Sequence, residues 1–323
     1  MRRRDLLTLL AAAPLGAQQP STAPAQPAPE EPVIRVDVDV VNLFCSVRDR
    51  KGAYVKNLEQ RNFTVFEDSK KQEIRYFTRE TNLPLTIGLL VDVSKSQEHL
   101  IEIEKRAAAQ FFRQVLQKKD SAFLISFGAE AELLQDSTNS LRLLQKGLDQ
   151  LRLSTSVGGL HPSPTNAPQR GTILYDAVYL AADEKLRNEV GRKVIVLITD
   201  GMDYGSRLKL NDAIQAAQKA DAIIYAIYYV DHRAYGGFGF GGSDGDLKKM
   251  AEQTGGRVFH VGGRRDSLSQ IFTEIQEEMR SQYAIGYVPT NPVKDGSFRK
   301  IDLKVDNKDY KVQVRKGYFA TKG

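Results

Sequence analysis

The sequence has no tryptophan, a single cysteine, four methionines and four histidines. The lone Cys45 excludes an internal disulfide framework and any multi-cysteine zinc site. Its expected role is a small buried hydrophobe in a strand. The histidines, His99, His161, His232 and His260, are scattered and share no metal-ligand spacing. The N-terminal apolar run, Leu6 to Leu15, is far shorter than the ~20 residues a membrane-crossing helix needs. Charge is not concentrated either. The formal net charge is +6, but no block of like charges carries it, so it does not by itself argue for nucleic acid, and none is expected as a partner.

What is present begins with a targeting pattern. Arg2, Arg3 and Arg4 precede the apolar run, and small residues Gly16 and Ala17 close it, so residues 1–17 read as a signal peptide. The order Arg3-Arg4-Asp5-Leu6-Leu7 fits a twin-arginine signal, with the general secretory route as the alternative. The mature chain is therefore expected outside the cytoplasm, periplasmic or secreted, with no transmembrane segment. Residues 18–32 carry five prolines among Ala, Gln and Ser, the composition of a linker.

Three regions follow. Residues 33–80 alternate apolar and polar side chains (Ile34, Val36, Val38, Val40, then Val41, Leu43, Cys45 after a phase change), as half-buried strands do. Phe63 to Phe66 and Ile74 to Phe77 add short strands around a polar turn at 68–72. From residue 84 the pattern switches to alternating strands and helices. Leu85 to Val91 is nearly all apolar, as a strand covered on both faces should be. Leu100, Ile103, Ala107, Phe111 and Val115 stripe the helix after it. Repeated strand–helix units over 84–283 imply a Rossmann-like, doubly wound, mainly parallel α/β sheet. Residues 284–320 return to strands. Neither flank has enough strands to bury an apolar face alone, so 33–80 and 284–320 are expected to pack together as a small β-domain.

The chemistry gathers at strand ends. The first central strand closes with Asp92-Val93-Ser94-Lys95-Ser96, a carboxylate and two hydroxyls at alternate positions. Thr172 opens a later helix, and Asp200 ends the strand Val194 to Thr199. Ligands of open parallel sheets bind beyond the carboxyl ends of the strands, where these segments meet. Two carboxylates and three hydroxyls form an all-oxygen set suited to Mg²⁺, with Mn²⁺ or Ca²⁺ as alternatives. The bland reading is helix capping, for which Asp and Ser are favoured.

Asp92-x-Ser94-x-Ser96, Thr172 and Thr199-Asp200-Gly201 together resemble the metal-ion-dependent adhesion site of von Willebrand factor A domains. The flanks extend the likeness. Val47-x-Asp49-x-Lys51-Gly52, Asn62 to Asp68, Tyr283-x-Ile285-Gly286-Tyr287-x-Pro289, Asp295-Gly296-x-Phe298-Arg299-Lys300-Ile301 and Arg315-Lys316-Gly317-Tyr318 are similar to an exported von Willebrand factor A-related family named for the acidobacteria. The resemblance implies that Asp92, Ser94, Ser96, Thr172 and Asp200 hold a divalent cation. It also implies that the cation binds an Asp or Glu carboxylate of a protein partner, and that the chain is a binding module and not an enzyme. Tyr204, Tyr235, Phe238 and Phe240, on loops around the site, are candidates for partner contact, with local packing the equal alternative. Asp176 reads as a helix-surface residue rather than a ligand, and Asp203 as a solvated loop residue, with orienting a water near the site as the alternative.

Two rivals stand beside this reading. A metal-dependent hydrolase needs a general base, and no histidine or spare carboxylate is convincingly placed for one. A metal-independent structural component of a cell-envelope assembly would need no cation. Two further strings are decoys. Gly237 to Gly242 matches a dinucleotide fingerprint, and Gly241-Gly242-Ser243-Asp244-Gly245 matches a nucleophile elbow, but neither has the strand–turn–helix setting its chemistry requires.

Overall fold

The computed structural model describes residues 40–79, 83–97, 99–153, 171–229, 243–261 and 267–320, except for the side chain of Ser96. The signal segment, the proline-rich linker, and Tyr235, Phe238 and Phe240 lie outside the described residues.

The chain opens with four strands: β1 (Val41–Arg48), β2 (Phe63–Glu67), β3 (Lys70–Gln72) and β4 (Ile74–Thr78). The turn between β2 and β3 is tighter than the 68–72 expected. Asp68 and Ser69 alone take positive φ, 46° and 68°, and Lys70–Gln72 pairs back on β2. Short polar side chains tolerate that left-handed backbone best.

The α/β region comprises β5 (Leu85–Asp92), α1 (Ile101–Val115), β6 (Ser121–Phe127), β7 (Ala131–Thr138), α2 (Leu141–Gln150), α3 (Leu174–Leu180), β8 (Arg192–Thr199), α4 (Leu210–Lys219), β9 (Ala222–Tyr228), α5 (Gly245–Thr254), β10 (Val258–His260) and α6 (Leu268–Met279). A π-helical stretch, Ala181–Leu186, extends α3. The six strands lie in the order β10-β9-β8-β5-β6-β7. All pairings are parallel except β6 with β7. Alternation along the strands sends side chains to two cores. Ile87, Leu89, Val91, Val194, Val196 and Ile198 pack under α1, α2 and α6, while Leu90, Ile195 and Leu197 pack under α3, α4 and α5. This is a mixed α/β architecture with a mainly parallel central sheet.

Four strands close the chain: β11 (Tyr283–Tyr287), β12 (Phe298–Val305), β13 (Lys311–Gln313) and β14 (Gly317–Phe319). Two four-stranded antiparallel sheets result, β13-β1-β11-β4 and β14-β12-β2-β3. Each mixes strands from the start and the end of the chain. Leu43, Cys45 and Val47 of one sheet share a cluster with Val65, Ile301 and Leu303 of the other. Cys45 is fully buried there, and burial pushes its thiol far above the usual range.

One helix face differs from expectation. Ile103 is 42% exposed, whereas Glu104 is 1% exposed. The inward stripe of α1 is therefore Ile101, Glu104, Ala107, Ala108, Phe111, Phe112 and Val115. A carboxylate takes a position that periodicity had given to an apolar side chain.

Candidate metal-binding site

The connections place the site. β5 is central, and the chain leaves it first to β6 on one side and later to β8 on the other. The carboxyl ends of β5 and β8 therefore flank a topological switch point, where open α/β sheets take their ligands. Asp92 is the last residue of β5, and Asp200 directly follows β8.

Asp92 and Thr199 are fully buried, and Asp200 almost fully. The Thr199 hydroxyl donates to Asp92 Oδ2 at 2.7 Å, and the Ser94 backbone N–H donates to Oδ1 at 2.9 Å. The Ser94 hydroxyl is a further hydrogen-bond partner of Asp92. Burial, and then the charge of Asp200, raise the Asp92 carboxyl from 3.8 to about 7. The hydrogen bonds from Ser94 and Thr199 oppose that rise without cancelling it. What acts on Asp92 is thus desolvation, a second anion and neutral donors.

Asp92 and Ser94 do not cap the following helix. After a single 3₁₀ turn, Lys95–Gln97, α1 starts at Ile101, and Leu100 holds the cap position without any side-chain cap. Ser96 belongs to that 3₁₀ turn.

Thr172 reaches the rim through its neighbours. Ile173 N–H donates to Gly128 O beyond β6 at 2.9 Å, and Tyr204 N–H donates to Thr172 O at 3.0 Å. Thr172 itself is 6% exposed. Among the described residues its hydroxyl is not hydrogen-bonded to Asp92 or Asp200. Gly201 turns the chain away with φ +79°, and a Cβ there would lie 2.7 Å from Ser243 O. That close approach and the left-handed backbone both call for glycine.

The 201–208 loop is strapped to α3 by two carboxylates. Asp176 accepts from the backbone N–H groups of Arg207 and Leu208 at 3.0 and 2.9 Å. Asp203 accepts from the Ser206 hydroxyl at 2.5 Å, and that hydroxyl accepts from Tyr175 N–H at 3.0 Å. Asp176 and Asp203, both half-buried, thus anchor the loop, a role that the surface and solvated readings did not include. A carboxylate in a first helical turn facing a Gly/Ser-rich loop is a signal that loop anchoring leaves in sequence. Tyr204 projects from this loop and is 67% exposed.

Sequence reasoning passed over three further residues. Thr199 was read as part of a motif, yet its hydroxyl holds Asp92 and also accepts from Gly201 N–H at 3.1 Å. Gln97, whose amide donates to Tyr229 O at 3.3 Å, and Glu104, in the first turn of α1, are both buried. Among the described residues, no three His, Cys, Asp or Glu side chains form a cluster able to hold a metal ion directly. Among the described residues, the oxygen donors at these strand ends are two carboxylates and neighbouring hydroxyls. Those are the hard oxygen donors that Mg²⁺ accepts while keeping part of its water shell.

A family model of the von Willebrand factor type A domain matches residues 86–274. No curated protein matches the chain. Several solved structures are similar. One is an aerotolerance-related membrane protein from Bacteroides fragilis, with multiple mutations to serines (16% identity, 60% of this chain and 98% of that chain, TM-score 0.45). A second is the conserved hypothetical protein BatB from Bacteroides thetaiotaomicron (18% identity, 61% and 100%, TM-score 0.43). A third is proximal thread matrix protein 1 from the mussel byssus with a zinc-occupied metal-ion-dependent adhesion site (14% identity, 66% and 49%, TM-score 0.48). The family match covers more than half of the sequence and contains both candidate carboxylates, and the chain belongs to the von Willebrand factor type A domain family.

Proposed function

We propose that this chain is an exported protein-binding module, not an enzyme, that recognises an acidic group on a partner through a divalent cation, Mg²⁺ or a close substitute. Domains of this family typically mediate protein interactions. Asp92, Ser94, Ser96, Thr172 and Asp200 would hold the ion. The observation that carries the reading is the state of Asp92. Its carboxyl is buried at a switch point, pushed to about 7 by burial and by Asp200, and reached by neutral donors alone. A bound cation would reverse that penalty by supplying opposite charge.

The partner's role follows from charge. A cation held by two carboxylates and neutral hydroxyls attracts one more anionic oxygen, and an Asp or Glu side chain of a partner supplies it. Ser94, Thr199 and the Ser94 N–H orient Asp92, while the loop strapped down by Asp176 and Asp203 sets the rim that the partner meets. The 1–17 signal and the 18–32 linker would deliver the domain beyond the cytoplasm and hold it on a tether. Among the described residues no helix is long and apolar enough to cross a membrane.

Titration calorimetry with Mg²⁺ and Mn²⁺, on the parent chain and on Asp200→Ala, tests the reading. The parent should bind, and the variant should lose at least tenfold in affinity while keeping its fold. A pull-down from envelope extract should yield a partner that chelator releases. An Asp200→Ala chain that binds metal and partner like the parent would overturn the proposal.

A further inference from the structure

Glu104 lies in the first turn of α1 with 1% of its surface exposed, and neither carboxylate oxygen has a hydrogen-bond partner. Gln97, in the 3₁₀ turn just before, is fully buried. Its amide NH₂ donates to Tyr229 O at 3.3 Å, but its side-chain oxygen has no partner. Tyr229 N–H in turn donates to Thr199 O at 3.0 Å. Gln97 is therefore tied to the end of β8, one residue from Asp200. Glu104 is among the buried residues of α1, and Tyr229, the partner of Gln97, packs against the core that Val91, Val93 and Ile198 form with that helix.

Three unpartnered buried acceptor oxygens on two residues at the start of α1 are unusual. Native proteins satisfy nearly all such groups with protein, ordered water or an ion, and an unpaired buried carboxylate is among the costliest to leave alone. Burial, and then the charge of Asp92, drive the Glu104 carboxyl well above the usual range. Glu104 thus feels the site's own anion and no cationic side chain. The first turn of a helix favours an acidic side chain in water, but it does not require that side chain to be buried among Ile101, Ala107 and Ala108, as Glu104 is here.

We infer that Glu104 and Gln97 form the inner wall of the cation site, their oxygens accepting hydrogen bonds from water bound to the cation held at Asp92, Ser94, Ser96, Thr172 and Asp200. Glu104 is then a positioning carboxylate that adds a third negative charge. It acts through water, because Glu104, Asp92 and Asp200 do not converge closely enough to hold a metal directly. This inference rests on the cation-binding reading proposed above. Its consequence is tighter cation binding in the free protein than two carboxylates and neutral hydroxyls would give.

The test is Mg²⁺ calorimetry with thermal melts of the full-length chain and of Glu104→Gln, which keeps shape but removes charge. The expected signature has opposite signs. Metal-free Glu104→Gln melts at or above the parent temperature, yet its Mg²⁺ affinity falls about tenfold and its melting shift on adding Mg²⁺ shrinks. A merely structural glutamate would alter the metal-free melt and leave affinity alone. Gln97→Met carries the same test if Glu104→Gln fails to fold, with a smaller expected loss of affinity. Unchanged Mg²⁺ affinity in the folded variant overturns the inference while the cation site stands. A parent chain that binds neither Mg²⁺ nor Mn²⁺ overturns both.

Discussion

Glu278 and Glu104 are both buried carboxylates on helices that cover the same face of the parallel sheet, and their surroundings are opposite. Glu278, on α6, is fully buried. It accepts from Arg48 Nη2 at 2.6 Å, Arg257 Nε at 2.9 Å, the Tyr54 hydroxyl at 3.1 Å and the Ser46 hydroxyl at 3.1 Å. Three of those donors come from the N-terminal strand region and one from the α/β region. The seam supplies its own counter-charge from two arginines. At the strand ends, Glu104 faces the charge of Asp92 and Asp92 that of Asp200, and the groups holding Asp92 are neutral donors. Both places bear the cost of burying charge, but only the seam offsets it from within the chain. The cation proposed above would offset that cost from outside the chain.

The comparison breaks first at the seam, where the largest effect is expected. Glu278→Ala removes one acceptor from four donors and leaves Arg48 and Arg257 clustered without their shared anion. Losing one partner of a buried ion pair costs about 3–5 kcal/mol. The partial exposure of both arginines, 24% and 26% of their side chains, places this case near the lower bound, about 3 kcal/mol. Denaturant melts should show that loss with Mg²⁺ affinity little changed. A variant as stable as the parent would mean that the buried network at the seam contributes no net stability.

At the site the sign reverses, and pH exposes it. Asp92 titrates near 7 in the folded chain against an ordinary 3.8, so between those values the folded state holds a proton that the unfolded state has released. Its contribution to stability is fully present below about pH 4 and is lost as pH rises through 7. Glu104, also raised, adds in the same direction. Metal-free stability should therefore fall across this window, with a slope approaching about 1.4 kcal/mol per pH unit for one such group. Mg²⁺ affinity should rise over the same window, because proton and cation compete for one carboxylate. Asp92→Asn should flatten the slope and stabilise the metal-free protein at pH 7.5 by on the order of 1 kcal/mol. The geometry permits it, since Thr199 Oγ can accept from an amide as readily as it donates to a carboxylate. Melts of the two chains from pH 4 to 8 decide, and a parent curve that climbs with pH would contradict the sign.

The same contrast explains what was legible in sequence. Strand–helix alternation was readable because apolar side chains obey a period, and β5, buried on both faces, shows up as an unbroken run. Asp92 and Asp200 were readable because strand ends before helices are where open sheets gather ligands. Glu104 was not. The stripe Leu100, Ile103, Ala107, Phe111, Val115 spends an inward place on Ile103 because a burial pattern assigns charged residues to water. The molecule buries Glu104 there instead, and Ile103 is left partly in solvent. Local rules are expected to fail at functional or strained positions, which fits the role proposed above for Glu104. Asp176 and Asp203 were missed for another reason. Their partners are backbone N–H groups and a serine about 30 residues away or across a turn, and such pairings leave no periodic trace. Strand pairing within the two antiparallel sheets was hidden likewise, because alternation reports which face is buried and not which strand lies alongside.

The smallest effect on stability is expected at Tyr204, and it sharpens the contrast between groups that hold the fold and groups that meet a partner. Its backbone N–H is tied to Thr172 O, while the side chain stands 67% exposed on the loop after Asp200. Truncation to Ala keeps the backbone bond and removes little packed surface, so stability should move by no more than about 0.5 kcal/mol. The ring is nonetheless an exposed aromatic on the rim of the proposed cation site, and such residues often dominate interfaces. If the partner docks over the cation, Tyr204→Ala should weaken partner binding about tenfold, with Mg²⁺ affinity in the free protein unchanged. Surface plasmon resonance against the captured partner, beside calorimetry on the free chain, separates the two quantities. Equal partner affinity for parent and variant would remove Tyr204 from the interface and confine recognition to the remaining loops and the cation itself.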